Sequence, residues 1–431
     1  MHFLVYVLLL VLAFPQVFAV WPIPKSIQTG NSVLWIEPTL TVIYNNKSLW
    51  HLVSLFQQDT EQVIGKSNPD ATASISSEAM VQQAISRILN YLFKKGLVPW
   101  KLHPRNSLFE PGTDAPKIYV QNLTITQKNT EHTLRPLAGE VDESYNLTLN
   151  NDGLARIEAY SSFGVLHALE TFVQLFYSHS QKGVYTTLAP VSISDHPSFK
   201  HRGLNLDVAR NWFPVRDILS TIDVLSWNKF NRLHIHMTDS QSWPMDIPAL
   251  PLLSQKGAYH RKLTYSPRDI RQIHYYASLR GIEVIIEFDM PGHTTSIGHA
   301  YPDLIAAFNA KPWNTYCAEP PCGSLQLKNP SVPEFLEKLF GDVLPRVQQY
   351  SAYFHTGGDE VNLNTYLLDP TVKSNDKKVL QPLIQNFVDR NHNQIRKAGL
   401  TPIVWEEMLL DWGLELGRDV VVQRYVFGFH K

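Results

Sequence analysis

The sequence predicts an α/β protein in which a barrel of parallel strands follows a smaller α+β domain. From residue 196 onward, short apolar segments alternate with segments whose apolar residues recur every three or four positions. Strands that alternate with helices are joined by right-handed crossovers into a parallel sheet. Each predicted strand also ends in charged or polar residues, as expected for a barrel, which gathers its strand ends around one mouth. An open dinucleotide-binding sheet is less favoured, because no Gly-x-Gly-x-x-Gly follows the first strand.

Residues 20–195 predict a mixed sheet with two helices. Asp152-Gly153 supplies a hairpin turn, and an apolar stripe that starts at Val81 indicates one helix, while residues 163–176 indicate another. Strands are indicated by alternating apolar and polar residues at 40–44, 117–126, 145–149 and 154–160. A polar, proline-bearing segment follows Lys94-Lys95, where we expect an exposed loop or a propeptide cleavage site. The region therefore predicts an α+β accessory domain.

The second domain, residues 196–431, contains six predicted strands. Between them, helices are indicated by stripes such as Ile218, Ile222 and Leu225. The strands lie at 203–208, 232–238, 282–288, 353–356, 402–405 and 420–423. A closed barrel of the TIM type has eight strands. We therefore expect a (β/α)8 barrel that lacks about its last two strand–helix units.

Composition and the first residues bear on location and partners. The 38 Lys and Arg balance 39 Asp and Glu, so no positive field attracts nucleic acid or anionic lipid. Residues 1–19 are mostly apolar and end in Val17-Phe18-Ala19, which suits a cleaved secretory signal. The apolar run is shorter than the roughly 20 residues that span a bilayer. We expect a secreted protein with no nucleic-acid partner and no membrane attachment after signal removal.

Two further features suit a secretory compartment. Glycan acceptor triplets begin at Asn46, Asn122 and Asn146. The two cysteines, Cys317 and Cys322, are close enough in sequence to favour one small disulfide loop. Metal binding by this pair is the alternative, and it would need further ligands.

The strongest candidate for chemistry is the segment His355-Thr356-Gly357-Gly358-Asp359-Glu360, which ends the fourth predicted strand. Two glycines permit close approach of the backbone to its neighbours. Past the strand end the alternation of side chains lapses, so both carboxylates can turn into one cleft and take different protonation states. A solvated acidic turn is the alternative interpretation.

Other predicted strands end in a related set of residues. Arg210 follows the first strand, Asp239 the second and His293 the third, while Trp405-Glu406-Glu407 follows the fifth. Together with the Asp-Glu pair, these ordered motifs resemble the family-20 glycoside hydrolases, the β-N-acetylhexosaminidases, over about residues 140–423. The cysteine loop is similar to that of secreted fungal members. Members have a Trp where Tyr425 or its neighbour stands in this sequence.

The resemblance implies hydrolysis of terminal non-reducing N-acetylhexosamine residues from β-linked chitin oligosaccharides or glycans, with no metal and no other cofactor. The acetamido oxygen of the substrate is the nucleophile in such enzymes, an exception to the usual pair of protein carboxylates. Glu360 would protonate the leaving oxygen, and Asp359 would hold the acetamido N–H and favour the protonated form of Glu360 by its negative charge.

The resemblance also implies roles for the remaining residues of the motifs. Asp239 and His293 would orient Glu360, while Arg210, Trp405 and Glu406 would bind the sugar. The accessory domain would be of the zincin-like type, and a homodimer is an expected assembly of such enzymes.

Two alternatives remain open on the sequence alone. An incomplete barrel leaves sheet edges unpaired, so the chain could be an inactive glycan-binding or non-folding product. His234 and His236 face the same side of a strand and could instead bind a metal, as in metal-dependent barrel hydrolases. The Asp-Glu pair has no evident role in such a metal site, so both histidines are expected to face the barrel interior.

Overall fold

A computed structural model describes most of the chain, namely residues 20–48, 75–98, 103–129 and 135–425. The predicted signal peptide, residues 1–19, lies outside the described residues. The chain divides into two compact units. In described residues, the first contains 20–48, 81–98, 103–129 and 142–198, and the second contains 75–80, 135–141 and 199–425.

The first unit is built on a mixed sheet of seven strands among the residues described. The strands are β1 (Ser26–Tyr44), β2 (Lys47–Ser48), β3 (Tyr119–Gln127), β4 (Tyr145–Leu149), β5 (Leu154–Ala159), β6 (Tyr177–Ser178) and β7 (Val184–Asp195). Their order is β2-β1-β3-β5-β4-β7-β6, and β1 also pairs with β7. The helices are α1 (Ser77–Asn90), which belongs to this unit from Val81 onward and continues as a π-helical turn (Tyr91–Lys95), and α2 (Ser162–Gln174).

The mixed sheet was predicted, but β7 was not. Its alternating pattern is interrupted at Pro190, which cannot donate a hydrogen bond to a neighbouring strand and so argues against a strand. Helix α2 begins where the sequence predicts, because the hydroxyl of Ser161 accepts a hydrogen bond from the backbone N–H of Gly164 at 3.1 Å. Residues 162–173 of α2 are all buried.

The second unit alternates strands with helices. The strands are β8 (Gly203–Asp207), β9 (Arg232–Thr238), β10 (Glu283–Phe288), β11 (Ile305–Ala306), β12 (Ser324–Leu325), β13 (Tyr353–His355), β14 (Thr401–Trp405) and β15 (Val421–Gln423). The helices are α3 (Val215–Trp227), α4 (Leu252–Gly257), α5 (Pro267–Ser278), α6 (Thr295–Gly298), α7 (Trp313–Tyr316), α8 (Ser331–Val347), α9 (Lys377–Lys397) and α10 (Glu407–Leu410), with 3-10 turns at Pro302–Leu304 and Leu363–Leu367. In the described part of the chain, no helix is both long and apolar enough to cross a membrane.

Six strands of the second unit form one sheet, in the order β15-β14-β13-β10-β9-β8. All the pairings are parallel. Strands that follow one another in the sheet are therefore also neighbours in space, with only the short hairpin β11–β12 set apart. A doubly wound sheet would reverse its order at a switch point, so this order is that of a TIM-like barrel, as predicted.

The core of the second unit lies between this sheet and its helices. All residues of β9 and β10 are buried, as expected for parallel strands that are covered on both faces. Phe354 on β13 is fully buried and packs edge-on against Phe288 and Phe340, with ring centroids 5.4 Å and 5.8 Å away. These rings join the sheet to helix α8.

Replacing Phe354 by Ala should destabilise the protein strongly, because it leaves a cavity between the rings of Phe288 and Phe340. Loss of a buried Phe typically costs about 3–5 kcal/mol of unfolding free energy. Urea denaturation followed by tryptophan fluorescence measures the change. Phe199→Ala is the matched control, because Phe199 is 74% exposed, and its unfolding free energy should change by less than about 0.5 kcal/mol. Equal effects of the two substitutions would contradict the described core.

Candidate active site

The residues that the sequence singled out lie at one edge of the parallel sheet. Arg210 follows β8, Asp239 follows β9 and His293 follows β10. The Asp359-Glu360 pair follows β13 and Trp405 ends β14. Because the carboxyl ends of parallel strands share one edge, side chains far apart in sequence meet there.

The turn after β13 lets the Asp-Glu pair approach β10 closely. Gly357 and Gly358 have φ angles of +65° and +104°, which favour glycine. The backbone N–H of Gly358 donates to Oδ1 of Asp289 at 2.8 Å. A Cβ on Gly357 would lie 1.9 Å from the same oxygen, so no side chain fits at this position.

Glu360 is oriented through its backbone as well as its carboxylate. It has a φ of +54°, an unusual value for a residue with a side chain. Its backbone N–H donates a short hydrogen bond to Oε2 of Glu407, at the start of helix α10. This contact fixes the strained backbone.

The carboxylate of Glu360 lies at the end of a chain of ionisable groups. Its Oε2 is 3.4 Å from Nε2 of His293, and Nδ1 of His293 is 3.2 Å from Oδ1 of Asp239. Asp239 is fully buried, whereas 40% of the Glu360 side chain is exposed. Burial lowers the pKa of His293, but Asp289 and the other carboxylates around it more than offset this effect and raise that pKa well above its usual value. We call Asp239, His293 and Glu360 the acid relay.

Asp359 is buried and offers one open oxygen. The hydroxyl of Tyr425 donates to Oδ2 at 2.8 Å, while Oδ1 accepts no hydrogen bond from any described residue. A buried acceptor without a partner costs roughly 1–3 kcal/mol. Oxygen and nitrogen atoms of Asp359, His293 and Asp289 all lie within 4.8 Å of one another. Burial and the adjacent Asp359 raise the pKa of Asp289 well above its usual value.

Arg210 is held by carboxylates from three segments. Nη1 contacts Asp207 at 2.8 Å, and Nη2 contacts Asp239 at 3.0 Å and Glu319 at 2.9 Å. Although burial lowers the pKa of Arg210, these carboxylates, led by Asp239, raise it above its usual value. Glu319 comes from the predicted cysteine loop, where the disulfide Cys317–Cys322 is formed with a Cα–Cα distance of 5.2 Å.

An aromatic wall borders the Asp-Glu pair. Trp405 is buried and donates from Nε1 to Oε1 of Glu287 at 2.8 Å. The ring of Tyr425 stacks on Trp405, with centroids 4.4 Å apart and planes inclined by 10°. Tyr425 therefore contacts both Trp405 and Asp359.

Glu406, predicted to bind the sugar, contacts the two residues that follow β15. Its Oε2 accepts from Nε of Arg424 at 2.8 Å, and its Oε1 accepts from the backbone N–H of Tyr425 at 3.0 Å. Glu406 thus positions Tyr425, while Glu407 is the residue of this motif that contacts Glu360.

Comparison with known proteins agrees with this geometry. Residues 199–426 match the catalytic domain of glycosyl hydrolase family 20, and residues 20–175 match the model described as beta-acetyl hexosaminidase like. The chain belongs to glycosyl hydrolase family 20. The resemblance seen in the sequence is thereby confirmed.

Family-20 relatives of this chain carry matching names. It is 40% identical over 424 residues to a beta-hexosaminidase of Arthroderma benhamiae, covering 94% of this chain and 69% of that protein. It is 31% identical to the beta subunit of beta-hexosaminidase of Mus musculus, with the same coverage. The solved chitobiase of Flavobacterium johnsoniae has a TM-score of 0.70 and 26% identity, over 94% of this chain and 54% of that one. The chain thus spans about half to two thirds of the length of these family-20 proteins.

The predicted pair His234 and His236 lies in the interior of the family-20 domain, as expected. Nε2 of His234 and Nδ1 of His236 lie 2.7 Å and 2.8 Å from Oε2 of Glu287. Two triads that share Glu287 are each close enough together to hold a metal ion, namely His234-Glu287-His355 and His236-Glu287-Asp289. Hydrogen bonds within the protein already engage Glu287, however, so the histidines have a role that needs no ion. A metal-dependent hydrolase is not favoured.

Several contacts of the site were not predicted from the sequence, among them those of four residues that lie around the predicted ones. Glu287, Glu319, Glu407 and Tyr425 each contact a residue that was predicted. The sequence did offer a signal for Tyr425, which stands near a position where family-20 members carry an aromatic residue. It also offered one for Glu407, which belongs to the same motif as Trp405.

Gly357→Ala should be far more damaging than an alanine at a glycine with the same backbone conformation. A matched control is Gly399→Ala, because Gly399 has a φ of +71° and open space around its Cβ position. Gly399→Ala should cost about 1–2 kcal/mol of unfolding free energy, the usual cost of a left-handed residue. Gly357→Ala carries the same cost plus the clash with Asp289, so its urea midpoint should fall clearly further. Equal midpoints would argue against the close approach of the turn to Asp289.

Proposed function

We propose that this chain hydrolyses terminal N-acetylhexosamine residues from β-N-acetylhexosaminides by substrate-assisted, retaining catalysis. The observation that carries the proposal is the arrangement at the end of β13. Asp359 presents one buried, unpaired oxygen, and Glu360 beside it is partly exposed and reaches His293. One carboxylate is thus placed to accept an N–H and the other to exchange a proton. The names of the family-20 relatives agree with this activity.

The first step breaks the glycosidic bond. Oδ1 of Asp359 accepts the acetamido N–H, and the acetamido oxygen attacks the anomeric carbon. Glu360 gives its proton to the leaving oxygen, and the positive charge of the resulting oxazolinium ring is stabilised by the Asp359 carboxylate. In the second step Glu360 removes a proton from water, whose oxygen attacks the anomeric carbon from the side that the leaving group occupied. The bond from this carbon to the acetamido oxygen breaks, which restores the neutral acetamido group. Two inversions retain the configuration.

The remaining residues of the site bind the sugar or position the two carboxylates. Arg210 offers a planar fork of N–H donors that suits neighbouring ring hydroxyls. Trp405 and Tyr425 form a wall against which the acetamido methyl group packs, and the Tyr425 hydroxyl holds Asp359 in place. His293 and Asp239 orient Glu360. Glu406 binds the sugar and also holds the backbone of Tyr425 in place.

Architecture and location complete the proposal. The catalytic domain, residues 196–431, contributes to an eight-stranded barrel, of which the described residues provide six strands. Residues 20–195 form the accessory domain, and a propeptide cleavage follows Lys94-Lys95. Residues 1–19 direct secretion, and the product assembles as a homodimer without nucleic-acid or membrane partners. Exposed side chains at all three predicted glycan acceptors, Asn46, Asn122 and Asn146, support passage through the secretory pathway.

Replacing the two carboxylates tests the reaction. With a phenyl N-acetylglucosaminide, Glu360→Gln should reduce kcat about 10²–10⁴-fold, because the leaving oxygen loses its proton donor. Asp359→Asn should reduce kcat about 10²–10³-fold, since it removes the charge that stabilises the oxazolinium ring. Rates come from released phenol, and anomeric configuration from proton NMR of the first product.

The control is Glu337→Gln, an exposed carboxylate on helix α8 that should leave the rate unchanged. A folded wild-type chain that binds an N-acetylglucosamine oligomer without cleaving it would contradict the proposal and favour a glycan-binding protein. Inverted product would contradict the mechanism.

Tyr425→Phe should lower kcat/KM about ten- to a hundredfold. The substitution keeps the aromatic wall but removes a hydrogen bond to a charged group, worth about 1.5–3 kcal/mol. Steady-state kinetics on the same phenyl glycoside measure the change. Tyr160→Phe, in the first unit and 48% exposed, is the control and should have no effect. An unchanged kcat/KM in Tyr425→Phe would show that the hydroxyl does not position Asp359.

A further inference from the structure

His236 on β9 lies between two carboxylates, one at each ring nitrogen. Nδ1 is 2.8 Å from Oε2 of Glu287, and Nε2 is 2.8 Å from Oδ2 of Asp239. The side chain is buried, so water does not separate these groups. An ionised carboxylate only accepts hydrogen bonds, and a neutral imidazole has one N–H. The two contacts therefore require a second proton, either on the imidazole or on one of the carboxylates.

The other contacts of the carboxylates place that proton on His236. Oδ1 of Asp239 faces Nδ1 of His293 and Oδ2 faces Nη2 of Arg210. Oε2 of Glu287 faces Nε2 of His234 and Oε1 faces Nε1 of Trp405. Arg210 and Trp405 can only donate, and an ionised carboxylate accepts from all four partners, so the simplest arrangement leaves both carboxylates ionised and puts the second proton on His236.

The neighbouring histidines differ from His236 in this respect. His355 uses Nδ1 as an acceptor for the backbone N–H of Gly357 at 2.9 Å, and burial lowers the pKa of His355 to about 3, so it is neutral. His234 faces one carboxylate oxygen through Nε2, for which a single N–H suffices. Burial lowers the pKa of His236, but Glu287 and Asp239 more than offset this effect and raise that pKa well above its usual value.

We propose that His236 and Glu287 are positioning residues for the general acid, with a permanently charged His236 holding Asp239, and through it the rest of the acid relay, in place. The proposal rests on the function proposed above for Glu360. The groups alternate in charge from Glu287 through His236 and Asp239 to His293, whose Nε2 faces the carboxyl group of Glu360. Each contact in the series joins opposite charges, which offsets the cost of burying them.

The sheet presets this series. Glu287 lies beside His236 in the register of β10 and β9, and Asp207 lies on the other side of His236 on β8. Adjacent strands are about 4.8 Å apart, so the imidazole and the carboxylate meet without any movement of a loop. The rigid part of the domain thereby fixes Asp239, which itself lies just beyond the end of β9.

Glu287 also contacts the other half of the site. Its Oε1 accepts from Trp405, which stacks on Tyr425, and the hydroxyl of Tyr425 donates to Asp359. Among the residues that the structure describes, none links His236 to Trp405 or Asp359 except Glu287 itself. Substitution of His236 should therefore impair proton transfer and leave Asp359 in place, whereas substitution of Glu287 should impair proton transfer and the position of Asp359 together.

Leaving groups of different acidity separate these effects. Phenolate is a poor leaving group, so a phenyl glycoside needs protonation of its leaving oxygen. Dinitrophenolate is a stable anion, so a dinitrophenyl glycoside is cleaved with little help from a proton donor. His236→Gln should lower kcat/KM about 10–100-fold for the phenyl N-acetylglucosaminide, and less than about threefold for the dinitrophenyl one. Glu287→Gln should lower both rates. His274→Gln, which replaces a buried histidine on helix α5 away from the site, should lower neither.

The outcomes distinguish the inference from the function on which it rests. Equal losses for both leaving groups in His236→Gln, or no loss, would overturn the positioning role. No hydrolysis of either glycoside by the wild type would contradict the proposed function instead. In that case, or if His236→Gln does not fold, NMR of isotope-labelled histidine in the wild-type chain decides. A buried imidazole with both nitrogens protonated in mildly alkaline buffer is expected, and its absence would refute the charged His236.

Discussion

Asp239 determines the arrangement of the polar site, because three cationic side chains converge on its buried carboxylate. Arg210 and His236 contact one oxygen, and His293 contacts the other. Burying a lone carboxylate would cost several kcal/mol or more, and each cation would incur a similar cost. In the cluster, the attraction between the carboxylate and the cations offsets these costs of burial. The position of Glu360, at the outer end of this cluster, therefore depends on charge balance beneath it as much as on packing.

The strands of the second unit could be predicted because burial on both faces produces short, mainly apolar runs in the sequence. β9 is a run of residues that are all buried, and the predicted bounds of 232–238 are those observed. The strand β7 shows no such run, since Pro190 interrupts it. The hairpin of β11 and β12 could not be predicted either, because two-residue strands are too short to show a period.

The members of the site could be predicted more fully than their contacts. Strand ends identify Arg210, Asp239, His293 and the Asp-Glu pair, since parallel strands bring their carboxyl ends to one edge. The contact of Glu319 with Arg210 joins residues 109 positions apart, and it depends on how a loop folds over the edge. The spacing of apolar residues along the sequence carries no information about the path of such a loop. For the same reason, the sequence places His236 in the interior without revealing that it faces two carboxylates.

The cysteine loop makes the surroundings of Arg210 depend on the redox conditions. The bond between Cys317 and Cys322 closes the short segment that presents Glu319 to Arg210. In a strongly reducing solution the disulfide would be broken and the loop would no longer be closed. Arg210 would then be neutralised by ions of the buffer instead of by Glu319. Protein made in a reducing cytosol would then have the same fold as protein that had been exported. The two would differ in the electrostatics around Arg210.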